Sequence, residues 1–142
     1  MRKKHKLSFS LVEIMIAMAI VIILAFIAIP NLLRSNINAN EVSAIASLRN
    51  LYSAFVMYYG ANNKTYPEQL VDMIGYINPA LANGEKSGYT FAYVRDSADE
   101  FHVNANPRTW RKTGVRYFYM DERSTIRYNV RREARANDPP AK

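Results

Sequence analysis

The chain has 142 residues, a formal charge of +7 and no cysteine. That leaves room for one small domain beside a membrane-type helix, and it excludes disulfides and cysteine-linked haem. Four of the positive charges, Arg2, Lys3, Lys4 and Lys6, precede residue 9; residues 9 to 107 then carry 5 basic and 8 acidic side chains, and residues 108 to 135 carry 9 basic and 3 acidic.

The leader MRKKHKLS is too short and too polar to fold. Behind it, Ile14 to Ile29 is an uninterrupted apolar run with one carboxylate, Glu13, at its N-terminal edge. A helix over Leu11 to Ile29 is about 28 Å long at roughly 1.5 Å per residue, close to the hydrocarbon thickness of a bilayer. Its basic flank lies before it and only Arg34 follows closely, so the N-terminus is expected to stay cytoplasmic and the bulk of the chain to face outward. A conventional secretory signal with small-residue cleavage near Ala25 to Ala28 is the competing pattern, and it leaves Glu13 without a reason. A carboxylate in hydrocarbon costs about 2.5 to 3.5 kcal/mol near the centre and less near an edge. It calls for a cationic partner, for snorkelling to the interface, or for protonation.

The segment KLSFSLVEIMIAMAIVIILAFIAIPNLLRS resembles the class III signal peptide and first helix of type IV pilins and of the pseudopilins of type II secretion. The resemblance implies cleavage by a prepilin peptidase between Ser8 and Phe9, N-methylation of Phe9, and an assembly role for Glu13, paired with the N-terminal amine of a neighbouring subunit. The family usually has Gly before the cut, where this chain has Ser8. Pro30 matches the proline that interrupts the apolar helix, and two outcomes are open there, a bend or a locally unwound segment. The recognisable match covers about the first third of the chain.

Beyond Pro30, Ile45, Leu48, Tyr52, Phe55 and Tyr59 recur at helical spacing, and Gly60, Asn62 and Asn63 supply a stop. The expected element is one long helix from about Ser10 to Tyr59, apolar all round in its first half and striped in its second. Residues 61 to 88 read as a connection with a short helix over Tyr66 to Ile74, Pro67 in its first turn, and with turns at Asn78-Pro79, Asn83-Gly84 and Ser87-Gly88. Tyr89 to Arg95, Phe101 to Asn106, Val115 to Met120 and Thr125 to Val130 read as strands of an antiparallel meander. The predicted organisation is a leader (1–8), a transmembrane or filament-core helix (9–30), the amphipathic half of that helix (31–60), a connection (61–88), a sheet region (89–135) and a flexible tail (136–142). The fold class is α+β, a pilin-like ladle with the long helix on a sheet of about four strands.

No HExxH, GxSxG or Walker pattern is present, and the two histidines, His5 and His102, stand alone, so the chain is not expected to be an enzyme. Asp96, Asp99 and Glu100, and Asp121 with Glu122, lack the spacing of a calcium loop and read as solvated turn residues; no metal or cofactor is expected. Arg108, Arg111, Lys112, Arg116, Arg123, Arg127, Arg131 and Arg132, with Trp110, Tyr117 and Tyr119 nearby, form a candidate patch for an anionic partner. Three readings stay open for it: DNA, the acidic part of a neighbouring subunit, or a solubilised strand edge.

The resemblance implies a structural subunit of a type IV pilus, polymerised through its N-terminal helix for adhesion, motility or DNA uptake. A pseudopilin of a type II secretion system is the alternative, and a monomeric signal-anchored binding protein the second. Implied partners are further copies of the chain in a helical filament, the prepilin peptidase, an inner-membrane assembly platform, and the membrane before assembly. The implied location is the bacterial inner membrane for the precursor and the outside of the cell for the filament, or the periplasm for a pseudopilus.

Overall fold

Helix α1 runs from Leu11 to Ala61 and passes through Pro30 without a break in its helical assignment. Of the two outcomes open at Pro30, the locally unwound one is not adopted. The computed structural model describes residues 9–141; the leader 1–8, and Ser8 with it, lies outside the described residues. The chain divides into two compact units at Ser35/Asn36, five residues beyond the expected boundary, because Leu32 and Leu33 remain exposed and continue the apolar surface before them.

In the first unit, α1 has no buried face. The window that makes this helix long and apolar enough to cross a membrane is wholly unburied, which sets it apart from the core helix of a soluble protein.

In the second unit the sequence builds a core. Glu41, Ala44, Ser47, Leu48, Leu51, Ala54 and Phe55 are the buried residues of α1, spaced 3 and 4 apart along one face. The expected stripe is turned slightly: Leu48 and Phe55 are central, whereas Ile45, Tyr52 and Tyr59 flank the core as half-buried residues. Phe55 packs against Tyr93 with tilted rings and against Phe101 edge-on, at ring-centroid distances of 5.0 and 4.7 Å, and Tyr66 meets Phe101 at 4.6 Å. Offset and edge contacts of this kind add to area burial.

The sheet has five antiparallel strands in sequential order, β1 (Glu85–Lys86), β2 (Tyr89–Arg95), β3 (Phe101–Pro107), β4 (Tyr117–Asp121) and β5 (Arg127–Asn129). The meander and the α+β class agree with the expectation. The additional strand, β1, is two residues between turn signals, too short to show alternation. The third expected strand starts two residues late, since the Val115 and Arg116 N–H groups donate to Glu41 Oε1 at 2.8 and 3.0 Å instead of to a neighbouring strand. In the connection, the expected helix over Tyr66 to Ile74 is a single 3₁₀ turn, Leu70–Met73, with Gln69 N–H donating to Asp72 Oδ2 at 2.9 Å. The Asn78-Pro79 turn opens a short helix, α2 (Pro79–Ala82), in which Asn78 Oδ1 accepts from Ala80 N–H at 2.9 Å; asparagine before proline is a helix start as well as a turn.

Residues 136–141 are not the free tail that their composition suggests. Tyr128 N–H donates to Pro139 O at 3.0 Å and Ala141 N–H to Ile126 O at 2.8 Å, while Arg127 bridges to Pro140 along the outer side of β5. Asp138 is 7 % exposed, accepting from Asn129 Nδ2, Arg135 N–H and both terminal nitrogens of Arg132. Proline supplies no N–H to a strand edge, so one side chain collects the donors of the closing segment.

Two predictions follow from this packing. Partial burial raises the Asp138 pKa, but hydrogen bonds from Asn129 and Arg135 and the charge of Arg132 outweigh it and leave the carboxyl below its ordinary value. A depressed folded-state pKa means stabilisation that is present above the unfolded value and lost as pH falls through the folded one. Wild-type chain should therefore lose protection of the Tyr128, Asp138 and Ala141 amides as pH falls below roughly 4, read by hydrogen exchange, while Asp138→Asn should lack that protection already at pH 7. At Gly114, an added Cβ would meet the Tyr89 ring and hydroxyl; Tyr89 is fully buried, with its hydroxyl donating to Arg116 O at 2.8 Å. Gly114→Ala should cost about 1–3 kcal/mol, measured by urea unfolding of the full chain in detergent.

Candidate functional site

The first unit presents a surface that water does not tolerate. Phe9 is 74 % exposed, and Leu11, Ile16, Phe26 and Ile29 are each more than half exposed. Contiguous apolar surface of this extent marks a membrane or an assembly contact. Glu13 lies in the first turn of α1, where the helix N-terminus favours a carboxylate, and none of the ion pairs among the described residues includes it. Phe9, Glu13 and Pro30 thus lie on one exposed segment. Pro30, which has no N–H to give the hydrogen-bond ladder, stands near its end, and Ser8, the other side of the expected cleavage point, is outside the described residues.

The eight basic residues of the candidate patch do not form one surface. Arg108 pairs with Glu85 at 3.4 Å, Arg116 with Glu41 at 2.7 Å, Arg123 with Glu122 at 3.5 Å and Arg132 with Asp138 at 2.9 Å. Arg127 donates to Asp138 O at 2.8 Å. Arg123 sits in the β4–β5 turn, at the opposite end of the sheet from the β3–β4 connection that carries Arg108, Arg111, Lys112 and Arg116. The Tyr117↔Asn129 pairing brings Arg131 and Arg132 to the same end as that connection. Pairing with four carboxylates leaves Arg111, Lys112, Arg127 and Arg131 of the eight outside the ion pairs among the described residues, and Arg127 is spent on a backbone carbonyl.

Two acidic residues carry more of the structure than their place in the sequence implies. Glu41, 4 % exposed, takes the Val115 and Arg116 backbone N–H groups on Oε1 and Arg116 Nε on Oε2. Three donors on a buried carboxylate meet the requirement that a buried charge be paired and hydrogen-bonded. Burial, and then the negative charge of Glu41, push the Tyr89 pKa up, which keeps its hydroxyl a proton donor to Arg116 O. The signal for Glu41 was in the sequence: it stands three residues before Ala44, in phase with the buried face. Asp138 had no comparable signal, since its partners are brought to it by the sheet.

The acidic turns are likewise engaged locally. Asp96 Oδ2 lies 2.7 Å from His102 Nδ1, Ser97 Oγ donates to Asp99 Oδ1 at 2.8 Å, and Asp121 Oδ1 accepts from Arg123 N–H at 3.1 Å. Among the described residues no group of three His, Cys, Asp or Glu side chains is placed to hold a metal ion.

Comparison with known proteins bears on both units. A family profile, the prokaryotic N-terminal methylation motif, matches residues 3–29. Type II secretion system core protein G of Escherichia coli K12 is 31 % identical over 105 residues, covering 70 % of this chain and 71 % of that protein. Core protein G of Aeromonas hydrophila is 30 % identical over 89 residues, covering 63 % of this chain. The chain spans 62 % of the length of that Aeromonas relative. A type IV pilin structure from Shewanella oneidensis superposes loosely, with a TM-score of 0.43 and 18 % identity over 66 % of this chain and 88 % of that one. Pilins and pseudopilins are structural proteins that form helical filaments, not enzymes. With the methylation motif at its N-terminus and its match to the E. coli core protein G, this chain belongs to the type IV pilin-like and type II secretion pseudopilin family.

Proposed function

We propose that the chain is the repeating structural subunit of a type II secretion filament, held in the inner membrane by the apolar part of α1 until assembly and then built into the filament core through the same surface. The observation that carries this reading is the exposed apolar segment of α1 with Glu13 at its edge, attached to a domain that closes its own core elsewhere. A helix that is apolar all round needs lipid or other helices as its surroundings, and exchange of one for the other keeps it covered throughout. The names of the two core protein G relatives favour a secretion filament over a surface pilus.

Cleavage between Ser8 and Phe9 and methylation of the new amine complete the reading. The Phe9 amine of one subunit would then meet Glu13 of its neighbour. In a low-dielectric bundle, a register that matches the two charges is favoured over any that leaves both unpaired. The carboxylate therefore acts on axial register rather than on membrane insertion.

The test is Glu13→Ala in cells that assemble the wild-type chain. Removing one partner of a buried pair costs about 3–5 kcal/mol, which is on the order of a hundred-fold or more in association. Membrane insertion and cleavage should persist while filaments imaged by electron microscopy are lost. Normal filaments from the variant would remove the register role, and long surface fibres from the wild type at native expression would favour the pilus over the secretion filament.

A further inference from the structure

The β3–β4 connection, residues 108–116, is a built loop rather than a slack one. Lys112 and Thr113 N–H both donate to Thr109 O, Arg111 N–H donates to Gly114 O, and Thr109 N–H donates to Thr113 Oγ1. Its base is fixed three times over. Arg108 N–H donates to Gly88 O at 2.9 Å, Asn40 Nδ2 donates to Thr113 O at 2.9 Å, and Glu41 holds the Val115 and Arg116 N–H groups. The tip carries Trp110, 47 % exposed, with the Arg111 guanidinium 4.6 Å from its ring centroid and Lys112 exposed beside it. Trp110 is the only tryptophan in the chain.

Charge at this end is one-sided once the internal pairs are removed. Glu41 and Glu85 face the loop but are matched by Arg116 and Arg108. Glu133, which accepts from the Asn106 amide at 2.7 Å, is outnumbered at this end by Arg111, Lys112 and Arg131. Arg111 and Lys112 are in none of the ion pairs among the described residues. Asp96, Asp99, Glu100 and Glu122 lie in the turns at the other end of the sheet.

We propose that the Trp110–Lys112 tip is a lipid-contact site of the membrane-anchored subunit, with Trp110 at headgroup level and Arg111 and Lys112 against the phosphates of anionic phospholipid. The proposal rests on the reading of α1 as the membrane anchor. Chain length supplies the occupant: the loop is fastened to Asn40, eleven residues after Ile29, so no more than about 40 Å of chain joins its base to the end of the apolar run. Tryptophan favours the membrane–water interface for its amphipathic ring, and adjacent cations are drawn to anionic headgroups. Because the loop is already ordered by its own hydrogen bonds, contact requires little further ordering of the backbone.

Single-tryptophan fluorescence of the full chain tests this directly. The chain is placed in nanodiscs of phosphatidylcholine alone or mixed with phosphatidylglycerol, with and without a lipid brominated near the top of its acyl chain. The expected result is a blue shift and bromine quenching of Trp110 in the phosphatidylglycerol discs, weakened in phosphatidylcholine. Both signals should be reduced by high salt and lost in R111Q/K112Q, while disc association of that variant persists. Identical emission in both lipids, or no quenching in either, overturns the proposal even if the variant proves unstable. Emission that is unshifted in discs and shifts only in assembled filaments also overturns it and assigns the tip to a contact between subunits. Failure of the wild type to associate with discs at all overturns the anchor reading along with it.

Discussion

An apolar helix that its own chain does not cover must be covered by something else, and much of this protein is arranged around that constraint. From Leu11 to Leu33 the side chains of α1 have no interior to enter. A domain tethered to such a helix must therefore be complete without it, and the second unit is: its core closes between the later turns of α1 and the sheet. The division at Ser35/Asn36 is the place where burial changes from external to internal.

Within the domain, the Glu41 carboxylate performs the corresponding task for polar groups. It gathers two backbone donors and a guanidinium from the segment entering β4, and so fastens the basic end of the sheet to the first buried turn of the helix. In the same neighbourhood Tyr89 packs against Gly114 and donates to Arg116 O, and Asn40 donates to the carbonyl of Thr113, the residue before that glycine. At the far edge of the sheet, Asp138 closes the chain in a similar way by collecting Asn129, Arg132 and Arg135. In a chain without cysteine, carboxylates with several donors fasten the two segments that lack long strands.

The elements legible in the sequence were those with long-period signals. The apolar run, the helical spacing around Leu48 and Phe55, and the β-branched and aromatic runs of β2 and β3 placed the helix and most of the sheet. Less legible were features set by tertiary donors. Val115 and Arg116 read as strand but bond to Glu41; Glu41 and Ser47 are polar yet buried; residues 136–141 read as a tail but run alongside β5. The basic patch failed for a related reason, since linear charge counting does not show that Glu41, Glu85, Glu122 and Asp138 reach back to four of its arginines. The N-terminal motif was legible because its signal is local, a short pattern embedded in an apolar helix, and the roles of Phe9, Glu13 and Pro30 are proposed from it. These proposed roles lie between chains, where a single sequence carries little geometric information.

The central claim is that one helix serves first as a bilayer anchor and then as a filament core, with processing before Phe9 marking the change. Mass spectrometry of the N-terminus in the membrane fraction and in isolated filaments tests it most directly. The account predicts filament subunits that begin at methylated Phe9; assembled filaments whose subunits retain Met1, or begin at another residue, would contradict it.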